Sequence, residues 1–512
     1  MPSPHKSPPV APREWAVLAA AGATLVFSAW SFGGVLAWSL QLLLLGGTLC
    51  FLFAVCPLPS RLNGTDGEHG NLLNLKRLLA SPVFWCFFAF IIYLLLQAAN
   101  PAITVVREGS RWWVEAIVPP LGVNWPSSVR SEYEPMNVWR VLQAFLAAFG
   151  LALGIHVGLR RRRSALLLLW VFVVSGTAMA AVAIAQRFTE AEAVLWSIPS
   201  SNRNPWGSFF YRNQAVAYLN LVLTATTFLY FHHAHRTREL ARSGGPHFLL
   251  FFFCAVLAAS IGLALSRGGI LFAAVILACF LVLAVLQHLL SFSGLGRSLA
   301  ISLILAALVG GGAYLAYSAV DWEAVDERFG DVGATIQQAD RDGRVLATRA
   351  TWDMAQDRLW LGWGAGSFRY VFPLYLQNYP DIFYRRNHPH RGYEGRRIWQ
   401  YAHNDIVQFV AEYGLIGTTL VFGGILCLLA ATVWFASGAT VFGTLILLVG
   451  TGTLFSHAFL DFIFNSPAFW TAFLGVLALA ATHVRHQSRR DSPSLIRHPP
   501  SASKRRLCTT SS

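Results

Sequence analysis

The sequence predicts an all-α polytopic membrane protein with about twelve transmembrane helices. Of its 512 residues, 55% are hydrophobic and only 12% are charged, a composition typical of membrane proteins and outside the range of soluble globular chains. Apolar runs of roughly 17 to 25 residues, each long enough to cross the hydrocarbon core as a helix, recur along the chain. In chain order, the expected spans are 15–32, 34–55, 83–100, 136–158, 164–187, 215–231, 248–266, 270–289, 299–317, 412–436, 440–460 and 465–484.

Lys and Arg residues near the span ends predict the orientation, because short cationic loops remain on the cytoplasmic side of a membrane. Three loops, at 76–77, 160–163 and 236–242, carry such residues, as does the chain after the last span. With twelve spans all four fall on one side, so both termini are expected in the cytoplasm. The net charge of +14 is then attributed to topology and to contact with anionic membrane lipid, and nucleic-acid binding is not expected.

This topology divides the chain into a cytoplasmic N-terminal tail (1–14), helices one to nine (15–317), a loop domain outside the membrane (318–405), helices ten to twelve (406–484) and a basic cytoplasmic C-terminal tail (485–512). The loop domain is expected to fold, with a helix near 345–360, because it combines Gly, Pro, Trp and Tyr with balanced charges. The first span lacks a basic n-region and a small-residue cleavage site, so we expect it to remain as an anchor.

A polar stretch, AHNDIVQFVAEYGLIG, precedes the tenth apolar run. On a helix, Asn404, Gln408 and Glu412 form one polar stripe, which we expect to face a cavity. Gly414 and Gly417 follow with a spacing that lets another helix approach closely. The alternative interpretation is a helix that leaves its polar first turn in the membrane interface.

Arg267 is the strongest functional candidate on physical grounds. The segment LALSRGGI places it between two long apolar runs with only Ser and Gly beside it. A cation so close to hydrocarbon is costly unless it is paired or hydrated. The alternative is an arginine whose side chain extends to lipid phosphates.

Two further arginines, Arg344 and Arg349, lie on the helix expected in the loop domain. A glycine turn at 362, 364 and 366 follows, and its bare backbone could approach a ligand, which makes Gly364 a candidate for substrate contact. No strand is predicted before this turn, so a dinucleotide site is rejected.

Polar residues also stand at two other span ends. SFFYRNQAVAYL places Arg212 and Asn213 at the start of the sixth span, either as substrate contacts or as ordinary interface groups. His457 and Asp461 are one helical turn apart near the end of the eleventh span, and we expect them to hydrogen-bond to each other and fix a helix end.

No metal site is expected. Asp340 and Asp342 form a DxD pattern, but Arg341 lies between them in a charged loop. His388 and His390 have no carboxylate partner at a defined spacing, and the seven cysteines show no metal-ligand spacing.

The chain resembles the O-antigen ligase and Wzy-type polymerase family of bacterial envelope glycosyltransferases. The ligase signature, H-[N/S/Q]-x9-G-x-x-[G/T/Y], is matched by His403, Asn404, Gly414 and Gly417. The SRGG segment resembles the family's outward-facing arginine in the middle of the chain, which gives that role to Arg267.

Three further segments add to this resemblance. Arg344 resembles the arginine of the family's loop, with Arg349 as the alternative. GSFFYRNQ, which contains Asn213, and HAFLDFIFNSPA resemble two other family segments.

The resemblance implies a GT-C-like fold with a large periplasmic loop between the ninth and tenth helices. It also implies transfer of a glycan from an undecaprenyl-diphosphate carrier to an acceptor hydroxyl at the outer face of the bacterial cytoplasmic membrane. The acceptor would be lipid A-core, another glycan or a protein. The sequence leaves open whether the enzyme is a ligase or a polymerase.

Specific roles follow from the resemblance and from side-chain chemistry. Arg267 and Arg344 would stabilise the departing diphosphate, because guanidinium groups bind phosphate oxygens and stay charged, so no metal or other cofactor would be required. His403 would accept the proton of the acceptor hydroxyl, oriented by Asn404 and Glu412, and attack opposite the diphosphate would invert the anomeric centre. The other residues expected to contact substrate are Arg349, Arg212, Asn213 and Gly364.

A transporter or flippase of lipid-linked oligosaccharide is the main alternative, since twelve spans with a basic loop between the sixth and seventh also describe many carriers. Carriers place charged residues near the middle of the membrane and seldom have a long outward cap between the ninth and tenth spans. A membrane scaffold without catalytic activity is a third interpretation.

Overall fold

Helices dominate the computed structural model, which describes residues 10–57, 59, 62, 69–109, 111–131, 136–200, 205–240, 244–290, 343–388 and 392–491. The helices are α1 (Pro12–Trp30), α2 (Ala37–Val55), α3 (His69–Leu79), α4 (Pro82–Ala99), α5 (Val138–Gly158), α6 (Arg162–Phe188), α7 (Arg212–Glu239), α8 (His247–Leu263), α9 (Arg267–Leu289), α10 (Gly343–Asp357), α11 (Phe368–Val371), α12 (Pro380–Phe383), α13 (Asp405–Trp434), α14 (Val441–Ala458) and α15 (Pro467–Asp491). The strands are β1 (Pro101–Glu108), β2 (Arg111–Ala116), β3 (Ser128–Arg130), β4 (Tyr384–His388) and β5 (Gly392–Arg396).

Nine helices within the described residues are long and apolar enough to cross a membrane. They are α2, α4, α5, α6, α7, α9, α13, α14 with the short turn before it, and α15. Every predicted span except 299–317, which lies outside the described residues, coincides with a helix. The prediction of a mainly helical, polytopic membrane protein is therefore confirmed, whereas the count of twelve spans and the five-part division of the chain stay predictions.

The central helix of the bundle is α7, whose apolar stretch is completely buried. Its Thr224, Thr226 and Thr227 hydroxyls donate to carbonyls one turn earlier, at 2.7 to 3.0 Å. Such bonds satisfy polar side chains where water is absent. The middle of α7, which is rich in threonine and has no Asp, Glu, Lys or Arg, thus suits an interior position, and the first residues of the helix reach one end of the bundle.

Basic residues gather at the opposite end. Arg160 donates to Asn74 Oδ1 at 2.9 Å, and Arg162 donates to Gln487. These contacts bring the chain between α5 and α6 against α3 and the end of α15. The connections at the other end, which we call the loop face, include 31–36, 100–109, 111–131, 189–200, 205–211, 264–266, 358–388, 392–404 and 459–466.

Two small sheets that the sequence did not predict lie on the loop face. The first has the order β2-β1-β3: β1 pairs antiparallel with β2 from Ile103↔Ala116 to Glu108↔Arg111, and parallel with β3. The second is the β4–β5 hairpin. Short helices were expected in the loop domain at 318–405, and the one predicted at 345–360 corresponds to α10.

Candidate active site

Asp461 is the centre of a polar cluster on the loop face. Its carboxylate is 1% exposed and accepts hydrogen bonds from His403 Nδ1 at 3.2 Å, from the Tyr211 hydroxyl at 3.0 Å and from the Asn213 amide. The Arg344 guanidinium lies 3.7 Å from Oδ2. We call these five residues the Asp461 cluster.

The cluster draws on four distant segments of the chain. Tyr211 and Asn213 stand at the start of α7, Arg344 lies in the first turn of α10, and His403 directly precedes the cap of α13. Asp461 follows the end of α14. Three segments that the sequence analysis had marked separately therefore meet on one carboxylate.

Charge and hydrogen bonding keep Asp461 ionised. Burial alone would raise the pKa of its carboxyl, but the hydrogen bond from His403 and the positive charge of Arg344 outweigh burial and lower the pKa to about 2. Tyr211 responds in the opposite direction, since burial and the neighbouring carboxylate raise the pKa of its phenol. At neutral pH Asp461 is thus an acceptor and Tyr211 a neutral donor.

His403 has an unusual backbone conformation, with φ of +56°. Residues other than glycine rarely adopt positive φ, and such strain concentrates at functional sites. The imidazole contacts the edges of Trp399 and Phe462, with ring centroids 5.8 and 4.7 Å away. Because Nδ1 donates to Asp461, the tautomer leaves Nε2 as the acceptor nitrogen.

Phe462 supports the cluster from one side. Its ring stacks on Tyr211 with centroids 4.6 Å apart and on Tyr401 with centroids 4.5 Å apart. Asp405 holds the chain just beyond it, because the Asp405 carboxylate accepts from the Phe464 amide at 2.7 Å and from the Asn465 side chain at 2.8 Å. The first turn of α13 thereby fixes the position of Asp461 relative to His403. The sequence analysis assigned no role to Tyr211, Asp405 or Phe462.

No hydrogen bond joins the side chains of His457 and Asp461, but the Asp461 amide donates to the His457 carbonyl at 3.0 Å, at the end of α14. His457 Nδ1 is buried and has no hydrogen-bond partner among the described residues. The spacing argument fails because α14 ends at Ala458, so Asp461 is not on the helix and its carboxylate is directed to His403.

The two loop arginines lie in different surroundings. Arg344 is half-exposed, and its Nη1 also donates to the Leu460 carbonyl at 3.2 Å. Arg349, further along α10, acts electrostatically on Tyr379, whose hydroxyl donates to Asp353 at 2.7 Å. Only Arg344 belongs to the Asp461 cluster.

Arg267 is the exposed first residue of α9 at the loop face. Ser266 caps the helix by accepting from the Gly269 amide at 3.4 Å, and Leu265 before it has φ of +51°. Gly268 packs against the imidazole of His457, one turn before Asp461. The first turn of α9 therefore packs against the residue that lies four positions before Asp461 in the chain. Arg212, the half-buried first residue of α7, lies between Tyr211 and Asn213 in the chain.

The polar stripe of α13 is buried. Asn404 caps the helix by accepting from the Val407 amide at 3.2 Å. Gln408 donates to Glu412 at 3.3 Å, and Glu412 accepts from the Phe368 amide at 3.2 Å. Gln408 and Glu412 line an open cavity with about 670 Å³ of empty space, so the expectation that the stripe faces a cavity holds for them. Asn404 and Glu412 make contacts that hold the scaffold.

Gly414 interrupts α13 with φ of +63° and ψ of −177°. The break leaves backbone amides and carbonyls of α13 without partners in the helix, and the segment around the glycine turn forms hydrogen bonds with them. Trp363 and Gly364 donate to the carbonyls of Ala411 and Glu412, both at 2.8 Å. In return, the amides of 415 and 416 donate to the carbonyls of 359 and 360.

Close packing explains why glycine is required both in α13 and in the glycine turn. A Cβ at Gly414 would overlap the Trp360 carbonyl, and one at Gly364, where φ is +105°, would overlap Ser127 and Ser128. A side chain at Gly417 would meet the Tyr93 ring. The bare backbone at Gly364, which the sequence analysis considered for ligand contact, thus faces other backbone.

Metal-ligand geometry is not found within the described part of the chain, where no group of three or more His, Cys, Asp or Glu is suitably placed. The DxD pattern at 340–342 and His390 lie outside the described residues.

Comparison with known families supports the resemblance seen in the sequence. Residues 250–422 match the family model described as O-antigen ligase. A comparison with curated proteins finds no match. The matched segment contains Arg267, Arg344, His403 and the Gly414 break, and it ends before Asp461. The resemblance to the O-antigen ligase family is therefore confirmed over residues 250–422.

Proposed function

We propose that the protein is a metal-independent, inverting membrane glycosyltransferase that transfers a glycan from an undecaprenyl-diphosphate carrier to an acceptor hydroxyl. The match to the O-antigen ligase family supports a ligase- or polymerase-type enzyme. The observation that carries the proposal is the hydrogen bond of His403 to Asp461, whose second oxygen lies 3.7 Å from Arg344. A base with a fixed tautomer and a cation for the leaving group are thereby held on one carboxylate.

His403 is the general base in this proposal. The acceptor hydroxyl transfers its proton to Nε2 as its oxygen attacks the anomeric carbon, and the ionised Asp461 stabilises the resulting imidazolium. The bond from the anomeric carbon to the carrier oxygen breaks, and the lipid diphosphate leaves with the electron pair. Attack from the opposite face inverts the anomeric configuration.

Two arginines stabilise the leaving diphosphate. Arg344 is preferred to Arg349 as the loop arginine because it shares the Asp461 carboxylate with His403. Its half-exposed side chain can turn toward substrate. Arg267 supplies the second cation from the adjacent end of α9. Guanidinium groups bind phosphate oxygens in pairs and stay charged, so they replace the charge that a metal ion would otherwise provide.

The remaining predicted residues divide into two groups. Asn213 orients the side chains of Asp461 and Tyr211. Three other residues, Asn404, Glu412 and Gly364, stabilise the fold around the site. Arg349 and Arg212 stay predicted contacts with the glycan or the carrier.

We place the reaction at the outer face of the bacterial cytoplasmic membrane. The basic loops meet at the end of the bundle away from the Asp461 cluster, and such loops remain cytoplasmic. The cluster would then face the periplasm, where the acceptor is lipid A-core, a growing glycan or another hydroxyl.

Reconstitution of the purified protein tests this proposal against a transporter. In vesicles without ATP or an ion gradient, a transferase consumes lipid-linked glycan when acceptor is supplied and releases undecaprenyl diphosphate. His403→Ala should abolish release, and His235→Ala, near the opposite end of the bundle, should not. Movement of intact lipid-linked glycan between leaflets without consumption would identify a flippase.

Deletion of the gene distinguishes the acceptor classes. Lipid A-core without any attached polymer indicates a ligase, and a single repeat on the core indicates a polymerase. Unaltered lipopolysaccharide with loss of a secreted polymer indicates an exopolysaccharide enzyme.

A further inference from the structure

An exposed apolar loop follows β2 on the loop face. In residues 117–126, which we call the apolar loop, Val118, Val123 and Trp125 have 91%, 79% and 51% of their surface exposed. Exposed apolar side chains clustered in one short segment indicate a surface that is covered in use. The loop also contains three prolines, which fix its backbone and so hold these side chains outward.

Asn100 fixes the position of the apolar loop relative to the bundle. Its side-chain amide donates to the carbonyls of Gly122 at 3.1 Å and Pro126 at 3.2 Å. Its Oδ1 accepts from the Leu121 amide at 2.8 Å. Asn100 is buried and caps the end of α4, so the loop lies directly beside the end of a span.

The exposed side of α4 leads to the same place. Its large exposed apolar residues, Trp85, Phe88, Ile92 and Leu95, recur at the three- and four-residue spacing of one helix face. At 18 residues, α4 is about 27 Å long, close to the roughly 30 Å of the hydrocarbon core. A face of this kind is suited to contact with lipid, and the helix ends at Asn100, beside the apolar loop.

We propose that the apolar loop is a membrane-interface anchor whose Val118, Val123 and Trp125 insert into the lipid leaflet on the loop face. Lipid is the occupant because Asn100 holds the loop at the end of α4, a helix whose exposed apolar face and length suit it to the hydrocarbon core. Tryptophan is favoured at the depth of the headgroups. The residues after the loop, Ser127 and Ser128, pack against Gly364, so the anchor is joined to the turn that pairs with α13.

Photo-crosslinking of the full chain tests the anchor. Val118→benzoylphenylalanine and Val123→benzoylphenylalanine are placed in vesicles of phosphatidylethanolamine and phosphatidylglycerol and irradiated. The matched control is Glu108→benzoylphenylalanine, exposed at the far end of the β1–β2 hairpin. Mass spectrometry should find lipid adducts at 118 and 123 in several-fold excess over 108. Equal yields at 108, or adducts to protein alone, would overturn the proposal.

A second comparison tests the role of Asn100. Asn100→Ala removes three hydrogen bonds to the loop and should lower the lipid-adduct yield at Val118 several-fold. The exposed Asn124→Ala should leave that yield unchanged, and equal yields for the two variants would contradict the assigned role. If Asn100→Ala does not fold, the comparison of 118 with 108 decides alone. Neither readout requires glycosyl transfer, so the anchor and the proposed function fail separately.

Discussion

Asp461 accepts a hydrogen bond from His403 Nδ1 at 3.2 Å although the two residues are 58 positions apart in the chain. They belong to different connections, one before α13 and one between α14 and α15. Asp405 brings these connections together through the backbone of 464 and the side chain of Asn465. The pair therefore depends on tertiary packing, and its chemistry can be tested by changing one atom of the carboxylate.

Asp461→Asn should lower the turnover of lipid-linked glycan by about 10²- to 10⁴-fold, the usual contribution of a positioned general base. The amide keeps the shape of the carboxylate but neither stabilises the imidazolium nor fixes the His403 tautomer. The loss should fall on kcat and leave KM nearly unchanged. Glu115→Gln, the same change on an exposed strand, is the control. An unchanged kcat in Asp461→Asn would contradict the assigned role.

The stability of the protein should fall at low pH through Asp461. Its folded pKa is lowered to about 2, below the ordinary value of about 3.9. The carboxylate therefore contributes stability that is present above about pH 4 and is lost as the pH falls through about 2. Thermal unfolding in detergent, compared between the native chain and Asp461→Asn, should show curves that converge as the pH is lowered over this window. Parallel curves would contradict this origin.

Arg344→Ala should reduce kcat by about 10²- to 10³-fold, as expected for loss of one charged group that stabilises a transition state. Arg349 lies on the same helix, so Arg349→Ala is the matched comparison. We expect it to change mainly KM. Arg344→Lys should recover only part of the rate, because an ammonium does not bind phosphate oxygens in a planar pair. A larger loss of kcat in Arg349→Ala would reverse the assignment.

Gly414→Ala should lower the free energy of unfolding by about 1 to 3 kcal/mol, because positive φ strains a residue that has a side chain. The new Cβ would also overlap the Trp360 carbonyl. Gly452→Ala is the matched control, since a Cβ at this helical position meets nothing within 4 Å. We expect a lower Tm in detergent for the first variant only. Equal Tm values would show that the break in α13 is not required.

The sequence predicts the positions of the long helices because apolar runs of this length favour helices that can cross a membrane. It also identifies His403, Asn404, Gly414 and Gly417 as a set. It does not reveal their separate tasks, which are a base, a helix cap, a helix break and a close contact with Tyr93. These tasks depend on partners far away in the chain.

The partner of Asp461 could not be found from spacing. A helical turn separates it from His457, but the helix ends between them. The sheet on the loop face had a local signal, since PAITVVRE and RWWVEA are rich in β-branched and aromatic residues. Strand propensity depends strongly on context, so this signal alone does not decide the pairing.

The break in α13 constrains how the chain can vary in length. Four main-chain hydrogen bonds join 359–364 to 411–416, and the Tyr93 hydroxyl adds bonds to the carbonyls of Leu361 and Tyr413. Insertion or deletion of one residue in either of these two segments would leave backbone amide groups without hydrogen-bond acceptors where little water reaches. Side chains on the outer surface can therefore vary, while the number of residues across the junction has to stay fixed.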